Sequence, residues 1–239
     1  MSYGDPNFNE VDRLISYMES TLNLDHLTLP AEFRYAHLSM ALIDAVFSIG
    51  IKYTVTQRVV ANYARFRGLA PYRSDEERWP DPSEQEPLSH FVELGNTHEP
   101  EQLASDIFQN HNRTSSTHGI LKAEAVMKAA QILTAHHVEY FQDLPKISQM
   151  TAIEEAFRAI PGQKEGLSWL YFWMLAGTDL LIKPDRHVLR YLNSALNRQI
   201  TGQEAQYLIQ TAAEQLQSRY PKASPRRLDY AIWNFQRQH

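Results

Sequence analysis

Along most of this chain apolar residues recur three and four positions apart, while strict alternation with period two is nearly absent. In "TGQEAQYLIQTAAEQLQSRY" the residues Ala205, Leu208, Ile209, Ala212 and Leu216 fall on one helical face, and Thr201 with Glu204 has the spacing of a capping box. The same device, Thr151 with Glu154, opens "AIEEAFRAI". Val188, Leu189, Leu192, Ala195 and Leu196 make another stripe, with Arg186, Arg190, Asn193 and Asn197 off it. Two segments, "MALIDAVFSIG" and "LSWLYFWMLAG", are apolar on nearly every side, which predicts helices at the centre of the fold. The stretch 68–87, "GLAPYRSDEERWPDPSEQEP", is rich in proline and charge, lacks a helical period and predicts a long surface loop. The pattern specifies an all-α protein.

Composition narrows the chemistry. With 239 residues, 43% of them hydrophobic, the chain can bury a core as one domain or two small ones. It contains no cysteine, which excludes disulfides, thiolate nucleophiles, cysteine-held zinc and thiolate-bound iron–sulfur clusters. Catalysis would have to use oxygen and nitrogen groups. The start, "MSYGDPNFNE", has neither the basic residues nor the apolar run of a signal peptide, and no apolar run reaches a membrane span of ~20 residues. A cytoplasmic location is the default expectation, at the nucleoid in a bacterium, with no membrane partner. A net charge of −5 does not suggest bulk coating of nucleic acid, yet local basic groups and backbone amides suffice for a few phosphates. The adjacent His136 and His137 point to different helical faces, so they cannot share a metal, and no metal site is expected.

The candidate chemistry centres on "AIPGQKEGLSWLYFWMLAGTDLLIKPDRHV". The Pro161-Gly162 turn precedes a buried helix, and backbone N–H groups at such a turn suit one phosphate. Asp185 stands after Pro184 at the next helix start, where a carboxylate serves as a simple N-terminal cap and equally could serve catalysis. The basic pair Arg226-Arg227 precedes "LDYAIW" at another helix start.

In order and spacing these segments resemble the helix-hairpin-helix DNA glycosylases with a Gly/Pro-rich loop and a downstream catalytic aspartate, the group that includes endonuclease III, the adenine glycosylase and the alkyl-base glycosylases. Ile160-Pro161-Gly162 matches the family's hydrophobic-Pro-Gly hairpin, and Pro184-Asp185-Arg186-His187-Val188-Leu189-Arg190 matches its V-D-x-H-V-x-R segment. "HGILKAEAVMKAAQIL", "ALIDAVFSIGIKYTVTQRVVANYARF" and "PRRLDYAIWNFQRQH" resemble further family segments, so the likeness spans about 35–198, with a weaker match at the C-terminus.

The resemblance implies two helical subdomains with a cleft between them: residues 35–160 as a six-helix subdomain leading into the hairpin, and 1–34 plus 161–239 as the second. It implies a DNA N-glycosylase of base excision repair, acting as a monomer on double-stranded DNA that contains a damaged base. Asp185 would be the catalytic carboxylate. Pro161, Gly162, Gln163, Lys164, Gly166 and Lys122 would hold the DNA backbone, and Tyr53, Trp169 and Trp173, with Tyr171, would flank the flipped base. His187 takes a structural role. No cofactor is implied beyond a monovalent cation at the hairpin.

The departures have consequences. Lys164 stands where the family has its second hairpin glycine, and Gly166 stands where bifunctional members carry the nucleophilic lysine, so a Schiff base is not expected. A two-residue slip of the alignment would give that role to Lys164. Gly50 replaces the glutamine that fills the hole left in the DNA. The alternative implied by these changes is a catalytically silent relative that binds DNA or a protein.

Overall fold

A computed structural model describes residues 6–75, 78–144 and 151–238. Among them there is no β-strand, only two isolated bridges, Tyr35 with Tyr72 and Arg113 with Leu121, so the protein is all-α. The helices are α1 (Pro6–Thr21), α2 (Leu38–Phe47), α3 (Tyr53–Arg67), α4 (Leu88–Thr97), the short α5 (Pro100–Gln102), α6 (Lys122–Ala135), α7 (Thr151–Ala159), α8 (Leu167–Leu175), α9 (Arg186–Leu196), α10 (Gly202–Leu216) and α11 (Pro225–Gln238). A π-helical stretch, Leu103–Phe108, continues α5.

The chain forms two compact units, one from Pro30–Ala176 and the other from Met1–Leu29 with Gly177–His239. The segment 161–176, which the sequence reading assigns with both termini, sits in the 30–176 unit.

In the 30–176 unit α2 is the centre: every residue from Leu38 to Phe47 is buried, and α3, α4, α6 and α8 pack around it. Its apolar sequence explains this, since no face of it is polar enough to meet water. The exception is Asp44, fully buried, whose Oδ2 accepts the hydroxyl hydrogens of Tyr35 (3.0 Å) and Tyr171 (3.3 Å). A buried carboxylate needs such donors, and here they tie α2 to α8 and to the chain ahead of α2. The phenols of Tyr35, Tyr53 and Tyr72 are all pushed up, first by burial and next by the charge of Asp44.

The stretch 68–87 is not a free loop. Its end is pinned by the buried Glu86, which accepts from Tyr63 Oη (2.6 Å), Ser39 Oγ (3.0 Å) and Arg67 Nε (2.6 Å). Glu86 N–H donates to His37 Nδ1 (2.9 Å), and Trp79 stacks on Phe141 with Arg73 over its ring. A charged residue in a proline-rich run reads as solvated; its partners, spread over α2 and α3, are invisible in the local pattern.

The other unit packs α1, α9, α10 and α11 about Leu14, Met18, Val188, Leu192, Leu208, Ile209 and Leu228. The predicted face of α10 is buried throughout, and the Thr201 box forms, with Glu204 N–H on Thr201 Oγ1 (3.2 Å) and Thr201 N–H on Glu204 Oε2 (2.8 Å). The predicted box at Thr151 differs: Thr151 is already the first residue of α7, and Glu154 pairs with Arg158 at 2.8 Å.

Candidate functional site

Asp185 lies at the end of a loop from Gly177 that is held along its length. Gln206 of α10 donates Nε2–H to Leu180 O (2.9 Å) and accepts Ile182 N–H at Oε1 (3.0 Å), so one side-chain amide does the work of an adjacent strand. Lys183 N–H donates to Asp229 Oδ1 of α11 (3.0 Å), and Asp185 N–H donates to Lys183 O (2.6 Å). Arg226 N–H reaches Asp179 O (3.2 Å), and its guanidinium stands 3.7 Å from the Asp179 carboxylate.

At the start of α9 the Asp185 Oδ1 accepts from His187 N–H (2.8 Å) and Val188 N–H (3.3 Å). These two bonds satisfy amides that the helix cannot satisfy itself. The side chain is half-buried, and Oδ2 has no hydrogen-bond partner among the described residues. The cap and a carboxylate oxygen directed elsewhere therefore coexist in one residue. His187 is neutral: burial lowers its pKa, the positive charges of Arg186, Arg190 and Arg237 act in the same direction, and the charge of Asp185 opposes them. Its Nδ1 is buried without a partner among the described residues.

Asp229 is the residue that sequence reading missed here, although it was in view within "LDYAIW". It is 8% exposed, and its carboxyl is pushed up to about 8, mainly by burial and next by the charge of Asp185, against the Lys183 amide and the charges of Lys183 and Arg226. The unit thus holds two carboxyls in electrostatic contact, one of them keeping its proton at neutral pH. The unit as a whole is balanced in charge, with ten Lys and Arg against ten Asp and Glu over residues 1–29 and 177–239, and Arg198 and Arg219 pair with Glu10 and Glu19 of α1.

In the other unit, α7 leads through a turn at 160–166 into α8. Gln163 N–H donates to Ile160 O and Gly166 N–H to Gln163 O, each at 2.9 Å. Gln163 is also buried, so the amides of Gln163 and Gly166 are not open to a phosphate as expected. The amides of Gly162 and Lys164 have no acceptor among the described residues, and both residues are exposed. No side chain caps α8, whose N-cap is Gly166. Gly162 (φ +84°) is required by its conformation and by Thr114, whose Cβ would lie 2.5 Å from an added methyl.

Three further expectations are corrected. Lys122 is 1% exposed, and its Nζ donates to Phe47 O (2.8 Å) and Ile49 O (2.5 Å) at the end of α2, so it cannot reach a phosphate. It neutralises the negative end of α2 instead. Trp169 and Trp173 are core residues, 3% and 6% exposed, packed edge-on at 5.6 Å, with Phe157 5.4 Å from Trp169. On an all-apolar helix nothing in the sequence separates a pocket aromatic from a core one. Tyr171 is likewise buried and bound to Asp44. Tyr53 is mostly buried, its hydroxyl included, and its ring stacks at 5.2 Å on Phe33. Gly50 forms the exposed tip of the α2–α3 turn at φ +74°.

A surface depression of about 440 Å³ lies on α1 between Asp12, Arg13, Tyr17 and Ala195, and none of the candidate site residues lines it. Among the described residues no group of three or more His, Asp or Glu is placed to hold a metal, and no helix is long and apolar enough to cross a membrane.

Residues 12–237 match a family described as a domain of unknown function, DUF8548, and the chain belongs to it. No curated protein and no solved structure matches the chain.

Proposed function

We propose that this member of the DUF8548 family is a monofunctional DNA N-glycosylase, in which α7, the turn at 160–166 and α8 act as a helix-hairpin-helix on the DNA backbone and Asp185 carries the chemistry. One observation carries the reading: Asp185 is fixed through Oδ1 by two backbone amides while Oδ2 has no partner among the described residues, so a carboxylate is oriented yet available. The open amides of Gly162 and Lys164 offer a phosphate two donors.

The target bond is inaccessible in stacked DNA, so the damaged nucleotide must swing out of the duplex. As the bond between sugar and base lengthens, positive charge develops on the sugar, and the Asp185 carboxylate stabilises it. Water then adds to the anomeric carbon; its proton leaves by way of Asp185 and the base departs protonated. With glycine at 166 the route through an enzyme-bound imine has no amine there. Lys164 is exposed in the same turn, and a lyase reaction would have to use it.

Duplexes carrying uracil, alkylated purines, oxidised guanine or oxidised pyrimidines, incubated with the protein and then heated in alkali, test the reading. Base release is expected from at least one, falling roughly 10²–10³-fold in Asp185→Asn. Strand cleavage without alkali that disappears in Lys164→Ala would replace the monofunctional assignment by a lyase. The burial of Trp169 and Trp173 favours a second reading, a silent DNA-binding relative without a stacking pocket. Tight binding to damaged duplex with no release from any lesion would select it.

A further inference from the structure

The loop that delivers Asp185 is held by groups of α10 and α11, and the one that takes the Lys183 amide is an acid. Gln206 holds Leu180 and Ile182, Arg226 holds Asp179, and Asp229 holds Lys183. Lys183 is the pivot: its N–H is taken by Asp229 and its carbonyl takes the N–H of Asp185. A short relay of two hydrogen bonds, 3.0 Å and 2.6 Å, therefore runs from α11 to the backbone of Asp185.

We propose that Asp229 is a positioning residue for Asp185: through the Lys183 amide it holds the turn that aims the Asp185 carboxylate. The inference rests on the glycosylase reading and deepens it. An uncharged acceptor would hold the amide at less cost than a carboxyl that is 8% exposed. What the acid adds is a second ionisable group beside the first. The groups facing it are Asp185 at the start of α9, Lys183 in the loop and Arg226 on its own helix; α10 presents the uncharged Gln206 to the same loop. At neutral pH Asp229, its carboxyl pushed up to about 8 by burial, keeps its proton and adds no charge of its own beside Asp185. Once Asp229 also ionises, two like charges act across the Lys183 turn, and their repulsion works against the geometry that aims Asp185. Base release is therefore expected to decline on the alkaline side as Asp229 loses its proton.

The test uses the full chain with Asp229→Asn and Asp229→Ala, measuring kcat and KM on a duplex that wild type processes, from about pH 6 to about pH 9.5. Hydrogen exchange at the Lys183 and Asp185 amides is followed in parallel. Asn keeps an acceptor but cannot ionise: it lowers kcat about threefold and abolishes the alkaline decline. Ala removes the acceptor: it lowers kcat about tenfold or more at every pH with KM unchanged, and speeds exchange at both amides. An alkaline decline that persists in Asn, or wild-type kcat in Ala, overturns the proposal, and neither change follows from a merely structural loss. If wild type releases no base from any duplex, the glycosylase reading fails by itself. The exchange arm then decides the positioning claim, since unchanged protection of Lys183 in Asp229→Ala would overturn it.

Discussion

Single residues in this molecule do work that their types alone do not announce. Lys122 follows a turn, where a lysine is ordinarily solvated, yet it closes the end of α2 with two carbonyl contacts. Lys122→Met keeps much of the volume but leaves the carbonyls of Phe47 and Ile49 without their donor. A loss of roughly 1–3 kcal/mol in stability is expected, read as a lower urea midpoint at unchanged slope. Asp229 works in the opposite sense. Its folded pKa of about 8 lies above the ordinary carboxylate value of 3.8, so the folded state holds an extra proton between those limits and stability declines as pH rises through them. Asp229→Asn carries no such penalty. The variant is expected to be more stable than wild type by roughly 2–4 kcal/mol near pH 8, with the difference vanishing towards pH 4. A variant that gains stability while losing alkaline regulation would mark Asp229 as a residue kept for function.

Among the elements, the two turns at Gly50 and Gly162 allow strain to be separated from contact. Both glycines have positive φ, +74° and +84°, but an added methyl at Gly50 meets nothing within 4 Å, whereas at Gly162 it meets Thr114 at 2.5 Å. Gly50→Ala should cost about 1 kcal/mol and Gly162→Ala about 2–3 kcal/mol, measured by thermal unfolding. Helices were the legible part of this chain. The apolar stripe of α10 and the all-round apolarity of α2 and α8 follow from spacing, because burying a face requires that spacing. Asp185 as the cap of α9 was equally legible, being a local effect of a side chain on amides two and three residues on. Glu86, Asp44 and Asp229 were not. Each is an acid whose partners come from other elements, from Tyr63 and Ser39, Tyr35 and Tyr171, or the Lys183 amide, and no local period encodes such a meeting. The roles given to Lys122, Trp169 and Trp173 failed for the same reason: burial is settled by what packs on top.

At the scale of the whole molecule, the titrating groups oppose one another. His37 is held neutral by burial, with the Glu86 charge acting against that, and its Nδ1 accepts the Glu86 amide. His37 and His187 both have folded pKa values below the ordinary 6.5, so the unfolded chain binds more protons and stability is lost as pH falls below that value. Asp229 gives the reverse slope over the same interval. Wild type should therefore show a shallow stability profile from about pH 5 to pH 7, and Asp229→Asn a steeper one that rises with pH, both followed by urea unfolding. The unequal setting of the lysines has a practical corollary. An amine-modifying reagent should label the exposed Lys164 at once, whereas Lys122 becomes reactive only when α2 parts from the chain around it. Appearance of the tag at position 122 is thus an intrinsic clock for opening of the 30–176 unit, readable by mass spectrometry with no engineered probe.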